Sequence, residues 1–376
     1  MWNLGFRPFY LAAALYAALS IVLWALPWLG VTWLAFPQGA HSHGHEMLFG
    51  FSSAVVVGFL FTAGRTWSGQ PTPHGLALQA LLGLWVAGRV LAFTPWPAAA
   101  ALADLAFAFG AAWGLGCALL RGGHRRNHFF IALLIGLGLL SALRHLQPVL
   151  GWAWPFSPLQ LGLDVLLFIL VVMGGRVIPS FTNNGVPQAN ARRHPAVERL
   201  ALGGVLAVLG ADVAGAPVAL LLPLLALVAA AHVVRWALWT PWRTLGKPLV
   251  WVLHAAYLWI PLHLALRALA VAGLAAPGVA THALTVGAIG GLVIGMITRT
   301  SRGHTGRLLR ADGWDVAMYV LVLGAALLRV GLPLVLPSAT VVAIVGSAPL
   351  WSLGFALFVL RYGPWLCAPR IDGQPG

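Results

Sequence analysis

The segment His41-Ser42-His43-Gly44-His45-Glu46-Met47-Leu48-Phe49-Gly50 sets three imidazoles and a carboxylate at the mouth of an apolar run. A polar ring buried in hydrocarbon costs free energy unless it is bonded or ligated, so the segment points to metal ligation. Glu46 can orient the His45 ring by accepting its second N–H, and it can also carry protons. On a helix, residues two apart point to nearly opposite faces. His43 and His45 therefore share one metal only if the chain bends, which Gly44 permits; otherwise one ring serves a metal and the other a second centre or a hydrogen bond. His282 repeats part of this grammar. It precedes Gly287 and Gly295 by the same intervals that separate His45 from Gly50 and Gly58. Both segments carry small-residue stripes, Gly50, Ala54 and Gly58 in one and Gly287, Gly291 and Gly295 in the other. Such stripes let a helix, or a flat macrocycle, approach the backbone closely.

The elements that must position these groups are membrane helices. The chain has 376 residues, 60% hydrophobic and 8% charged, far below the roughly 25% charged fraction of soluble domains. With roughly 20 apolar residues per span, hydropathy and breaker residues place spans near 8–30, 45–64, 74–93, 98–120, 127–147 and 158–178. Six more fall near 196–212, 216–237, 248–270, 278–298, 314–333 and 337–362. The expectation is an all-α polytopic bundle of about 12 transmembrane helices, one integral-membrane domain over 1–376, with no room for a soluble one. The N-terminus shows no small-residue cleavage site, so the first span is expected to persist.

The charge of +14 does not indicate nucleic acid, because the arginines cap apolar runs. The layout puts eighteen of the 22 basic residues on one side and only Arg89, Arg144, Arg267 and Arg329 on the other, which makes both termini cytoplasmic. Cys117 and Cys367 alone, with no CxxC or CxxCH, exclude thiolate iron–sulfur sites and covalent c-type haem. Of the 13 histidines, His41, His43, His45, His145 and His282 fall at outer span ends, together with Glu46, Asp104, Asp164 and Asp212. His263 sits toward that side and reads as structural. His254 lies nearer the cytoplasm on the same span, where it either ligates or bonds a neighbouring helix. The remaining histidines accompany cytoplasmic arginines.

The chain resembles the NnrS family of haem- and copper-containing bacterial inner-membrane proteins linked to nitric oxide. The likeness runs almost the whole length. It starts at Gly5-Phe6-Arg7-Pro8-Phe9 and includes His43-Gly44-His45-Glu46-Met47-Leu48-Phe49-Gly50-Phe51, Thr66-Trp67-Ser68-Gly69, Gly88-Arg89, Arg126-Asn127 and Leu143-Arg144-His145-Leu146. It continues through Gly175-Arg176-Val177-Ile178-Pro179, His254 with Tyr257 and Trp259, His282-Ala283-Leu284-Thr285-Val286-Gly287, and Gly303-His304-Thr305-Gly306. The family often has Trp where His41 stands and Asn where Arg144 stands, so His41 inherits no ligand role and the charge beside His145 differs.

The resemblance implies non-covalent b-type haem and copper held by histidines, and a role in binding, reducing or detoxifying nitric oxide. His43, His45, His145, His254, His282 and His304 are the candidate metal ligands, and Glu46 the candidate proton donor, with Asp104 or Asp164. His145 either ligates or, with Arg144, holds a haem propionate; Arg7 and Arg176 either bind propionates or snorkel as anchors. Partners are nitric oxide, the bilayer and an electron donor that no motif reveals; nucleic acid is not among them. Two other readings use the same features: a non-catalytic protein that sequesters or senses nitric oxide, and a secondary transporter. Sustained gas loss beyond one equivalent per metal excludes the first, and a Soret band excludes the second.

Overall fold

The computed structural model describes residues 1–32, 40–123, 125–151 and 156–374; His124 and the side chain of His41 lie outside the described residues. These residues form helices and no strand. Ten helices are long and apolar enough to cross a membrane: α1 Phe6–Leu29, α2 Ser42–Ser68, α4 Pro97–Arg121, α5 Arg125–Gln147, α6 Pro158–Gly185, α8 Val218–Leu238, α9 Pro248–Val271, α10 Pro277–His304, α11 Gly313–Val335 and α12 Pro337–Cys367. Two further helices stand at the remaining expected spans. They are α3 Gly75–Leu91, only 17 residues long, and α7 Pro195–Val213, which carries Glu198, Arg199 and Asp212. The chain is thus a multi-pass membrane protein built as an all-helical bundle.

Local chemistry explains the helix boundaries. α4, α6, α7, α9 and α10 each begin with proline in the first turn, where its missing N–H leaves no bond unmade. α11 begins with a reciprocal capping box between Asp312 and Asp315. The most apolar stretches of α2, α6, α9 and α10 are 72% to 83% buried, against 33% to 56% in the other six spanning helices. These four therefore form the core and the others surround it. α1 packs on α2 and on α12, and Arg7 fastens that closure by donating to the Leu366 and Ala368 carbonyls at 2.9 and 2.6 Å.

Candidate metal centres

Three stretches of the bundle are wound as π-helix: Glu46–Ser52 in α2, Ala283–Gly290 in α10 and Leu327–Gly331 in α11. π-Bulges concentrate at functional sites. The first two follow His43, His45 and His282 directly, and the third contains Arg329. All three border one cavity of about 390 Å³.

His43 and His282, from the two separate core helices α2 and α10, both line this cavity. The His43 ring stacks on Trp24 at 4.2 Å between centroids. His282 Nδ1 donates to the Gly278 carbonyl at 2.6 Å, since a carbonyl can only accept, and Nε2 is left as the lone-pair nitrogen. The remaining wall is largely apolar and aromatic, with Trp24, Trp28, Phe51 and Trp351, and Arg329 is its single cation among the described residues.

His45 points elsewhere, into a buried polar cluster shared by α2, α3, α4 and α5. Its Nδ1 lies 2.8 Å from Glu46 Oε1, and its Nε2 lies 2.9 Å from Ser141 Oγ and 3.8 Å from Asp104 Oδ2. The His145 ring sits 4.1 Å from the His45 ring, with Nε2 at 3.2 Å from Asp104 Oδ2. Arg89 binds both carboxylates: its NH2 donates to Asp104 Oδ1 at 2.5 Å and its Nε is 3.3 Å from Glu46 Oε2. Tyr16 donates its hydroxyl proton to the same Oε2 of Glu46. Glycine makes the room. A Cβ at Gly50 would strike the Arg89 guanidinium, and one at Gly88 the Asp104 carboxylate.

Counting protons shows what this cluster lacks. Ser141 has one hydroxyl proton and donates it to Asp104 Oδ2 at 2.6 Å. If His45 donates Nδ1–H to Glu46, its Nε2 either carries a second proton toward Ser141 Oγ or stands bare. Two carboxylates against Arg89 also leave one negative charge, and buried charge must be compensated. A proton on His45 supplies the balance, and so does a metal cation. One ligand atom each from His45, Asp104 and His145 lie within 4.8 Å of one another, and bonds of about 2.0–2.2 Å to imidazole and carboxylate fit an ion among them.

The other candidates are placed apart from both sites. Asp164 bonds Gln160 at 3.0 Å and pairs with Arg267 at 3.2 Å, and Arg267 also grips Asp212 at 2.6 Å. His263 Nδ1 donates to the Ala280 carbonyl at 2.8 Å. His254 Nε2 lies 2.7 Å from the Thr182 hydroxyl, and its Nδ1 is buried with no partner among the described residues. His304 packs its ring on Phe6 at 5.4 Å. Arg176 donates to Asn127 at 2.7 Å, Arg7 is held by backbone carbonyls, and Arg144 is half buried beside His145. None of His254, His304, Arg7, Arg144 and Arg176 lines the two-histidine cavity.

The small-residue stripes are packing surfaces. A Cβ at Gly58 would meet Phe9 at 3.0 Å, one at Gly291 would meet Ala256 at 2.7 Å, and one at Gly295 would meet Leu253 at 2.9 Å. Of the two readings open in the sequence, helix contact is the one these distances support.

A family model described as NnrS protein matches residues 1–370. The chain belongs to the NnrS protein family. No curated protein matches it. NnrS membership and a membrane helix bundle together fit a membrane protein related to nitric oxide. Four residues of these NnrS sites are absent from the candidates read in the sequence: Tyr16, Arg89, Ser141 and Arg329. For Arg89 and Arg329 a signal existed, since both belong to the four arginines on the side that the charge rule leaves nearly empty. Tyr16 and Ser141 have no counterpart signal in an apolar helix.

Proposed function

We propose that this NnrS protein is a bacterial inner-membrane protein that binds nitric oxide at histidine-held metal and removes it by reduction. One observation carries the reading: His43 and His282, from separate core helices, face a single cavity of about 390 Å³, within the usual size range of cofactor pockets. The donor set suits a b-type haem. One of the imidazoles of His43 and His282 would hold its iron, the aromatic and aliphatic wall would suit the macrocycle, and Arg329 would pair with a propionate. His45, Asp104 and His145 form the set for copper, an imidazole-rich N/O site of the kind copper accepts. Haem, when bound, supplies an iron that takes the diatomic and exchanges electrons.

The protein's own residues do the rest. Glu46 fixes the His45 tautomer so that Nε2 presents its lone pair, the carboxylate–histidine arrangement typical of metal sites. Arg89 binds the carboxylates of both Glu46 and Asp104. Tyr16, Glu46 and His45 are hydrogen-bonded in series, and Ser141 donates to Asp104 beside them, groups that can hold the two protons that reduction of two nitric oxide molecules to nitrous oxide and water consumes with two electrons. The electrons come from a donor outside this chain. Anaerobic mixing of reduced protein with nitric oxide tests the reading: gas loss well beyond one equivalent per metal supports turnover, and loss that stops at one equivalent identifies a sequestering protein instead.

A further inference from the structure

A second cavity, of about 90 Å³, lies among the four core helices α2, α6, α9 and α10, with Tyr10 of α1 also in its wall. Its wall is aliphatic and aromatic with two methionines, Met173 and Met296. Ser52 and Ile289 line this cavity and the two-histidine cavity alike, so the two spaces meet at that pair. Both residues belong to π-wound stretches. The Ser52 hydroxyl is spent on the Met47 carbonyl at 2.9 Å and offers nothing polar at the junction. Interiors are close-packed and hold few voids larger than a water molecule. Water settles only where it finds two to four polar partners, whereas apolar cavities stay dry and take up apolar guests such as xenon. Five side chains of the wall, Val56, Phe59, Leu170, Val177 and Met296, remain only half buried.

We infer that this space is a binding site for small apolar molecules, dissolved diatomic gases in particular, and that it hands them to the two-histidine cavity past Ser52 and Ile289. A cavity of about 90 Å³ takes a guest of a few atoms. The occupancy stands on the cavity alone; the handover rests on the proposed haem reading.

The test uses xenon as the probe on crystals of the full chain. Xenon density in the cavity of the wild type, lost in Val56→Trp and in Leu170→Trp, is the expected result, the second variant covering the case where the first does not fold. Laser photolysis of carbon monoxide from the reduced protein provides the other arm, with bimolecular rebinding slowed several-fold in the same variants while the equilibrium spectrum is unchanged. Absence of xenon from the wild-type cavity overturns the gas site. Xenon present with unchanged rebinding overturns the handover. A purified protein with no haem defeats the haem reading and takes the handover with it, while xenon still decides the gas site.

Discussion

At the residue scale, His43 and His45 part company although a single residue separates them. Positions two apart on a helix differ by about 200°, and the backbone here keeps that divergence without the bend Gly44 allows: His43 enters the cavity with His282, and His45 the cluster with Asp104 and His145. That the two rings would face different neighbours was therefore legible in the spacing. The partners were not, because hydropathy marks where a helix lies in the membrane and not which neighbour it faces. Arg89 is the instructive case. A guanidinium on the sparsely charged side, 4% exposed between two carboxylates, is held by local charge balance and not by membrane sidedness. Glu46→Ala should weaken metal binding at the His45 cluster by about 10–100-fold, as loss of an orienting carboxylate does. Competition titration of copper against a chelator measures it, and an unchanged affinity would detach Glu46 from the site. Asp104→Asn should lower the affinity further, since it removes both a ligand oxygen and the charge that Arg89 neutralises.

At the element scale, the π-wound stretches explain why periodicity could not place every side chain. A π turn holds more residues than the 3.6 of an α-helix, so faces counted from His45 or His282 drift in phase across Glu46–Ser52 and Ala283–Gly290. The spans themselves were legible, because their apolar lengths and first-turn prolines survive such drift. Close packing gives a direct check. Gly88→Ala puts a methyl against the Asp104 carboxylate, and overpacking of this kind costs about 1–3 kcal/mol; a lowered thermal midpoint together with reduced metal content is expected. Gly203→Ala, where nothing lies near the added carbon, should leave both unchanged.

The start of α11 carries a pH prediction. Partial burial pushes the Asp312 carboxyl up, but hydrogen bonds from Arg361, the Asp315 backbone and Arg302 outweigh it and hold the group below its ordinary 3.8. A carboxyl depressed in the folded state contributes stability above its unfolded value and loses it as pH falls through the folded one. Asp312→Asn should therefore lower the thermal midpoint at neutral pH, and the gap from wild type should close as the pH is taken below 3.8. A constant gap across that range would assign the effect to the cap alone.

At the scale of the whole molecule, the sites lie where core helices meet their neighbours: α2 with α3, α4 and α5 at the His45 cluster, and α2, α6 and α10 with α1, α11 and α12 at the two-histidine cavity. The arginines of the emptier side illustrate how the charge rule doubles as a site finder: Arg89 and Arg267 pair with buried carboxylates, Arg329 lines the cavity, and Arg144 adjoins His145. The eighteen-to-four division of basic residues predicts twelve crossings with both termini in the cytoplasm. Reporter fusions after Arg121, Arg243 and Cys367 should all report cytoplasm, and one after Pro95 should report the opposite side. A terminus on the outer side would remove the basis for placing the histidines near the periplasm.

The central claim is that imidazoles from separate helices converge to hold metal. Its most direct measurement is the reduced absorbance spectrum with metal analysis of the purified protein, alongside His282→Ala and His45→Ala. A haem spectrum and bound copper are expected in the wild type, loss or alteration of the haem bands in His282→Ala, and loss of copper in His45→Ala, with both variants still inserted in the membrane. Wild-type protein devoid of haem and copper, or spectra and metal content that neither substitution changes, would contradict it.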